Sequence, residues 1–266
     1  PGILDPQPTN QGVPTPWTRL TAALCGLHAG DLFVVAGRTS MGKTAAALQI
    51  AVMAALARVP VAVCSLEMDA ASLMKRILAV ISGVHSQQMR AGTLSDDDRQ
   101  RLRHAAALID NAPLWIDDKL SRTLSGIEAG IRKLTATKGI APRLIIVDYI
   151  QLMKGVGRQE NRVQELAEIS HGMKHLAVRT KATVILLSQL NRGCEQDNRR
   201  PQLSDIKECG SIEEDADVVL FTHRPDRMGS DAEFIVAKQR NGPIGMMSMV
   251  FHGATQRFEE VGGPMT

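Results

Sequence analysis

The chain has 266 residues, 44% of them apolar, a formal net charge of +3 and a sequence pI near 8.8. This length lies at the upper end of what one hydrophobic core organises, so a single soluble α/β domain is expected. A membrane span needs roughly 20 consecutive apolar residues, and the alanine-rich run at 44–57 is interrupted by Gln49 and followed by Arg58. Cys25, Cys64, Cys194 and Cys209 are far apart and form no CxxC pair, which argues against a zinc site or a disulfide framework and fits a reducing cytoplasm. The net charge is compatible with a nucleic-acid partner without requiring one. Only 3% of residues are aromatic, so a bound single strand would be held through its phosphates more than by stacked bases.

Residues 1–12 are rich in Pro, Gly, Asn and Gln, lack the basic and apolar regions of a signal peptide, and read as a linker or a cut end, leaving 13–266 for the folded domain. From Asp31 onward, short apolar runs at 32–36, 61–66, 114–116, 144–147, 183–187 and 218–221 alternate with helical stretches at 44–57, 70–82, 96–111, 124–138 and 160–179. The runs are almost continuously apolar, as strands covered on both faces by crossover helices must be, so a mostly parallel sheet flanked by helices is predicted. Ser95 followed by Asp96, Asp97 and Asp98 supplies acids that favour the positive end of a helix. Beyond 221 the pattern becomes 234–238, the turn residues Asn241-Gly242-Pro243, and 246–251, which predicts a C-terminal β-hairpin on the far side of the sheet.

Gly37-Arg38-Thr39-Ser40-Met41-Gly42-Lys43-Thr44 fills the pattern G-x-x-x-x-G-K-[ST] between a predicted strand and a predicted helix. Gly37, Ser40, Met41, Gly42, Lys43 and Thr44 are therefore the candidate nucleotide-binding set. The glycines let backbone N–H groups turn toward the phosphates, and Lys43 places a point charge between the outer ones. The Thr44 hydroxyl is a candidate Mg²⁺ ligand. Asp148, at the end of the run 144–147, is the second candidate ligand and the Walker B acid. Hydrolysis also needs a carboxylate to activate water. Tyr149 follows Asp148, so that group is not in the Walker B segment, and Glu67 at the end of 61–66 is the candidate. Gln189, closing the next strand, is positioned either to sense the γ-phosphate or as an ordinary loop glutamine.

From about Gly12 to Phe258 the chain resembles the RecA-type motor domain of DnaB-like replicative helicases. The resemblance rests on Gly30-Asp31, Ser40-Met41-Gly42-Lys43-Thr44, Ser65-Leu66-Glu67-Met68, Val147-Asp148-Tyr149-Ile150-Gln151-Leu152-Met153 and Leu187-Ser188-Gln189-Leu190. It continues through Leu203-Ser204-Asp205, Gly210-Ser211-Ile212-Glu213, Asp215-Ala216-Asp217 and Lys238-Gln239-Arg240-Asn241-Gly242-Pro243. It implies a RecA-like P-loop NTPase fold and ATP-driven 5′ to 3′ movement on single-stranded DNA with Mg²⁺. Its partners would be those of a ring hexamer, with primase and a helicase loader. By the same resemblance Glu67 is the catalytic glutamate and Gln189 the phosphate sensor, Lys238 and Arg240 are a basic pair reaching a neighbouring subunit's ATP, and Arg76 lies near the nucleotide. DNA contacts fall to Lys207, Glu208 and Gly210, with Arg158, Arg162, Arg199 and Arg200 in flanking loops, where a merely solvated role is the competing reading.

Two departures stand out. Lys207 and Cys209 occupy positions where the family usually has Arg and Ser, so a phosphate contact there would be a point charge rather than a bidentate fork. The family's N-terminal domain and linker helix are not legible before Asp31. Two other readings remain from different classes: a RecA- or RadA-like recombinase, which needs a second DNA site, and a nucleotide-regulated assembly ATPase for which DNA is not a substrate.

Overall fold

The computed structural model describes residues 12–155, 161–191, 199–206, 210–263 and 265. In chain order the elements are α1 (Thr18–Leu24), β1 (Leu32–Gly37), α2 (Lys43–Leu56), β2 (Val61–Ser65), α3 (Ala70–Ser82), α4 (Ser86–Ala91), α5 (Asp96–Asp110), β3 (Leu114–Asp117) and α6 (Leu124–Lys138). They continue with β4 (Leu144–Asp148), α7 (Arg162–Thr180), β5 (Thr183–Gln189), α8 (Gly210–Asp215), β6 (Val218–His223), β7 (Asp231–Gln239), β8 (Gly245–His252) and β9 (Arg257–Glu260). Among the described residues the strands join one 9-stranded sheet in the order β3-β2-β4-β5-β1-β6-β7-β8-β9. Neighbours from β3 to β6 run parallel, and those from β6 to β9 antiparallel.

Every residue of β1, β2, β4 and β6 is buried, because successive side chains point to opposite faces and both faces are covered. Phe33, Val35, Val63, Ile146 and Ile185 pack with Leu20, Leu48, Ile50, Leu73 and Ile77 on one side. Val34, Ala62, Ile145, Val147 and Leu186 pack with Ile127, Ile131, Leu166, Met173 and Leu176 on the other. The helix starts are fixed locally: Asp69, Ser95, Thr123 and Asn161 each accept a backbone N–H of the following turn, and Ser95 with Asp98 forms the capping box anticipated by the acidic run.

The predicted alternation of strands and helices is borne out. The C-terminal hairpin is present as β7 and β8 but gains a further strand, β9. The short helices α1, α4 and α8 and the strand β9 were not legible, since none is long enough to show a period. The proposed linker lies largely outside the described residues. Cys25 is exposed and Cys64 buried, both as free thiols, whereas Cys194 and Cys209 lie outside the described residues. Among the described residues no helix is long and apolar enough to cross a membrane.

Gln49, the polar interruption of the alanine-rich helix, joins α2 to β9. Its Nε2 donates to the Phe258 carbonyl at 3.0 Å, and the Phe258 N–H donates back to Oε1 at 2.6 Å. The Trp17 indole donates to the same carbonyl at 3.3 Å. Gln49→Ala is expected to destabilise the chain by about 1–3 kcal/mol, because the buried Phe258 N–H loses its acceptor. Urea unfolding with an unchanged midpoint would contradict this role.

Candidate nucleotide site

The parallel register lines up the ends of four strands. Ser65 of β2 pairs with Asp148 of β4, and Gln189 of β5 pairs with Gly37 of β1. Ligands of open α/β sheets bind at this carboxyl edge. The loop after β1 turns there into the N-terminus of α2, whose N-cap Gly42 has φ 89°. That end offers free backbone N–H groups and the positive end of the helix dipole.

Two glycines are required sterically. A Cβ on Gly37 would lie 2.5 Å from Thr222 Oγ1 and 2.8 Å from the Thr222 carbonyl, and one on Gly42 would lie 2.5 Å from the Phe258 ring. Lys43 Nζ donates to the carbonyls of Gly37 at 2.8 Å and Arg38 at 3.0 Å, so the loop wraps its own ammonium. Thr44 Oγ1 donates to Asp148 Oδ2 at 2.9 Å. Gln189 reaches the loop through a 2.9 Å hydrogen bond from its Nε2 to Thr39 Oγ1. Its backbone is held by Gln151, whose Oε1 accepts from the Gln189 N–H at 3.1 Å and whose Nε2 donates to Ser188 Oγ at 3.0 Å.

Burial perturbs both central charges. It lowers Lys43 to about 8 against the opposing pull of Asp148 and Glu67. It raises Asp148 to about 6, with Glu67 adding to the rise and the Thr44 hydrogen bond, Lys43 and Arg76 resisting it. Each group thus has its charged form disfavoured while no ligand is bound, as in sites built to receive a counter-charge.

A cavity of about 860 Å³ gathers Ser40, Gly42, Lys43, Thr44, Glu67, Arg76, Asp148 and Gln189. Gly37 and Met41 are not in its wall: Gly37 is buried at the end of β1, and the Met41 side chain packs inward at 2% exposure. The far wall comes from Arg224, Arg227, Met228, Phe251 and Gln256. Sequence reasoning missed these residues, and the only available signal was that Arg224 follows a buried strand ending at the same edge as the loop.

Lys238 and Arg240 stand at the opposite edge. The Arg240 N–H donates to the Asp217 carbonyl at 2.9 Å, and the Asp217 N–H donates to that of Leu32, the first residue of β1, at 2.9 Å. Lys238 Nζ donates to the carbonyl of Glu213, and Arg240 Nη2 to that of Glu214 at 2.6 Å. Asp217 anchors this edge by accepting from Leu32 N at 2.7 Å and from Lys174 Nζ.

Of the candidate DNA residues, Arg158, Lys207 and Glu208 lie outside the described residues. Gly210 opens α8. Arg162 pairs with Glu165 and donates to the carbonyls of Gln151 and Met153 at 2.8 and 3.0 Å. Arg199 forks onto Asp205 at 2.6 and 2.7 Å, and Arg200 onto Glu233 at 2.8 and 2.7 Å.

A phosphate loop, an Asp-terminated strand two places away and a carboxylate and an amide at the same edge of a mostly parallel sheet define a RecA-like P-loop ATPase domain. Residues 12–260 match the model of the DnaB-like helicase C-terminal domain, and the chain belongs to that family. It is 43% identical over 249 residues to the replicative DNA helicase DnaB of Geobacillus stearothermophilus, covering 90% of this chain and 54% of the relative. It is 40% identical over 269 residues to the replicative DNA helicase DnaC of Bacillus subtilis, covering 95% and 59%. The chain therefore spans little more than half the length of these relatives. A solved DnaB-like replicative helicase, described with its interactions with primase, superposes with a TM-score of 0.90 at 31% identity over 95% of this chain and 62% of that one. A solved ATPase domain superposes at 0.89 and 31% identity, over 95% and 92%.

The raised Asp148 value has a signed consequence for the chain free of nucleotide and metal. A carboxyl raised in the folded state contributes stability that is fully present below its unfolded value and lost as pH rises through about 6. Asp148→Asn removes that loss. In EDTA it is expected to melt like the unsubstituted chain near pH 4 and to be more stable above about pH 7, by up to roughly 3 kcal/mol. Lys43 acts in the opposite sense, its contribution being lost as pH falls from 10.5 through about 8. A stability difference for Asp148→Asn that stays flat in thermal melts between about pH 4 and pH 7 would contradict the assignment.

Proposed function

We propose that this chain is the motor domain of a ring-forming replicative DNA helicase, a single ATPase unit over 13–266 that hydrolyses ATP with Mg²⁺ and moves 5′ to 3′ on single-stranded DNA. The observation that carries the reading is the division of groups between the two edges of one sheet. Lys43, Thr44, Glu67, Asp148 and Gln189 gather at the carboxyl edge, whereas Lys238 and Arg240 are tied to α8 and Asp217 at the other.

At the carboxyl edge Lys43 holds the outer phosphates. The site fits Mg²⁺, a hard cation that takes oxygen ligands, because the Thr44 hydroxyl and the buried Asp148 carboxylate converge there. When bound, the cation neutralises charge across the outer phosphates. Glu67, exposed in the cavity wall, orients and deprotonates the attacking water. Gln189 senses the γ-phosphate and relays to the loop through Thr39, and Arg76 adds positive charge.

Lys238 and Arg240 serve a neighbouring subunit. On their own chain they stand one strand length from the phosphate loop, about 17 Å at a rise of about 3.3 Å per residue, farther than an arginine side chain reaches. A finger supplied in trans is commonly worth about 10³ to 10⁵ in rate and ties turnover to assembly, which supports a ring hexamer. Lys207 contacts DNA phosphates through its ammonium, and Glu208 and Gly210 through backbone N–H groups, irrespective of sequence. Arg158 remains a further DNA contact. Arg162 and Arg199 would have to release carboxylate partners to contribute, so the main contact is assigned to the 207–210 segment. Primase and a helicase loader are the proposed protein partners, the former supported by the similar helicase described with primase.

Glu67→Gln is expected to bind ATP as the unsubstituted chain does while losing at least about 100-fold in turnover, the usual worth of a positioned base. Steady-state hydrolysis with and without single-stranded DNA, paired with an ATP-binding titration, checks both halves. Unchanged turnover would assign water activation elsewhere, and turnover indifferent to DNA in assembled protein would favour the assembly ATPase.

A further inference from the structure

Arg224 follows β6 and is only 8% exposed, although arginine is seldom buried without partners. Its Nη1 donates to the Ser40 carbonyl at 3.3 Å. Its Nη2 donates to the carbonyls of Arg227 at 2.5 Å and Gly229 at 2.7 Å. The guanidinium lies over the Phe251 ring, 4.6 Å from its centroid. One planar fork thus joins the phosphate loop, the 227–229 rim and β8, three parts of the cavity wall that are far apart in sequence.

The Ser40 tether matters because of the backbone there. Ser40 has φ 67°, a left-handed conformation that residues other than glycine adopt at a cost. The N–H of a peptide points opposite to its C=O, so fixing the Ser40 carbonyl also fixes the direction of the Met41 N–H. That N–H donates to the Arg38 carbonyl at 3.3 Å, inside the turn that wraps Lys43.

We infer that Arg224 is a positioning residue for nucleotide binding: it holds the phosphate loop in its left-handed turn at Ser40 and sets the distance between that loop and the rim. It acts through main-chain carbonyls, and a lysine cannot replace it because a single ammonium lacks the fork. The inference rests on the nucleotide reading of this cavity.

The test is calorimetric titration with ADP and Mg²⁺ of the unsubstituted chain, Lys43→Ala, Arg224→Lys, Arg224→Gln and the double variant Arg224→Lys with Ser40→Gly. Circular-dichroism melts confirm folding of each. Arg224→Lys and Arg224→Gln are expected to weaken ADP on the order of tenfold, the size of a lost charge-assisted hydrogen bond. In steady-state hydrolysis their KM rises more than kcat falls. Ser40→Gly should recover at least about threefold of the loss, since glycine holds a left-handed φ unaided. ADP affinity in the folded Arg224 variants equal to that of the unsubstituted chain would overturn the inference. So would a loss that follows lowered melting temperature and is not relieved by Ser40→Gly. If Lys43→Ala binds ADP as well as the unsubstituted chain, or neither binds, the nucleotide reading itself fails and the inference with it. If Lys43→Ala alone loses ADP, only the role of Arg224 falls.

Discussion

The phosphate loop is held between two surfaces that tolerate no side chain on it. Gly37 lies against Thr222 of β6, and Gly42 rests on the ring of Phe258 from β9. The second contact makes the antiparallel end of the sheet part of the nucleotide site. Phe258 is held by Gln49 and Trp17 through its backbone, and its ring packs against Phe234 and Phe251 at centroid distances of 4.8 and 4.6 Å. The loop is therefore seated on an aromatic cluster drawn from β7, β8 and β9, and the Gln49 hydrogen bonds tie α2 to it. Moving any of these strands would move the N-terminus of α2.

On that seat the electrostatics follow from burial. Lys43 and Asp148 are desolvated to a degree that disfavours charge on both, and each is only partly compensated by the other, by Thr44 and by the loop carbonyls. Such a site is more stable when a ligand supplies the missing charges than when left to itself, which is the usual trade between stability and function. The opposite edge is arranged differently. There Asp217 receives the Leu32 N–H and Lys174 and faces Arg240 at 3.6 Å, so the basic pair is held in place without being enclosed, and Arg240 is exposed.

The parallel core was legible because each of its strands is an uninterrupted apolar run separated by amphipathic stretches of helical length. The phosphate loop was legible because its residues are contiguous. Asp148, Glu67 and Gln189 were found through strand ends; the register places Asp148 and Gln189 at the same edge as Gly37, and Glu67 follows the end of β2 there in the cavity wall. Arg224, Phe251 and Gln256 were not found, because a wall assembled from a loop and two antiparallel strands leaves no spacing to detect. Phe258 likewise appeared only as the far limit of a resemblance, with nothing to show that it lies beneath Gly42. Arg162 and Arg199 show the reverse problem: a basic residue in a loop looks available in sequence, and only the fold reveals the Glu165 and Asp205 carboxylates that engage them.

The central claim is that a working ATPase centre takes its phosphate loop from one chain and its arginine from the next. It is tested most directly by mixing Lys43→Ala, which keeps Arg240, with Arg240→Ala, which keeps the phosphate loop, and measuring ATP hydrolysis on single-stranded DNA at fixed total protein. Each variant alone should be nearly inactive, and the mixture should hydrolyse ATP well above the sum of the two, because some interfaces then combine an intact loop with an intact finger. A mixture that never exceeds that sum, at concentrations where the unsubstituted chain is assembled and active, would contradict the account.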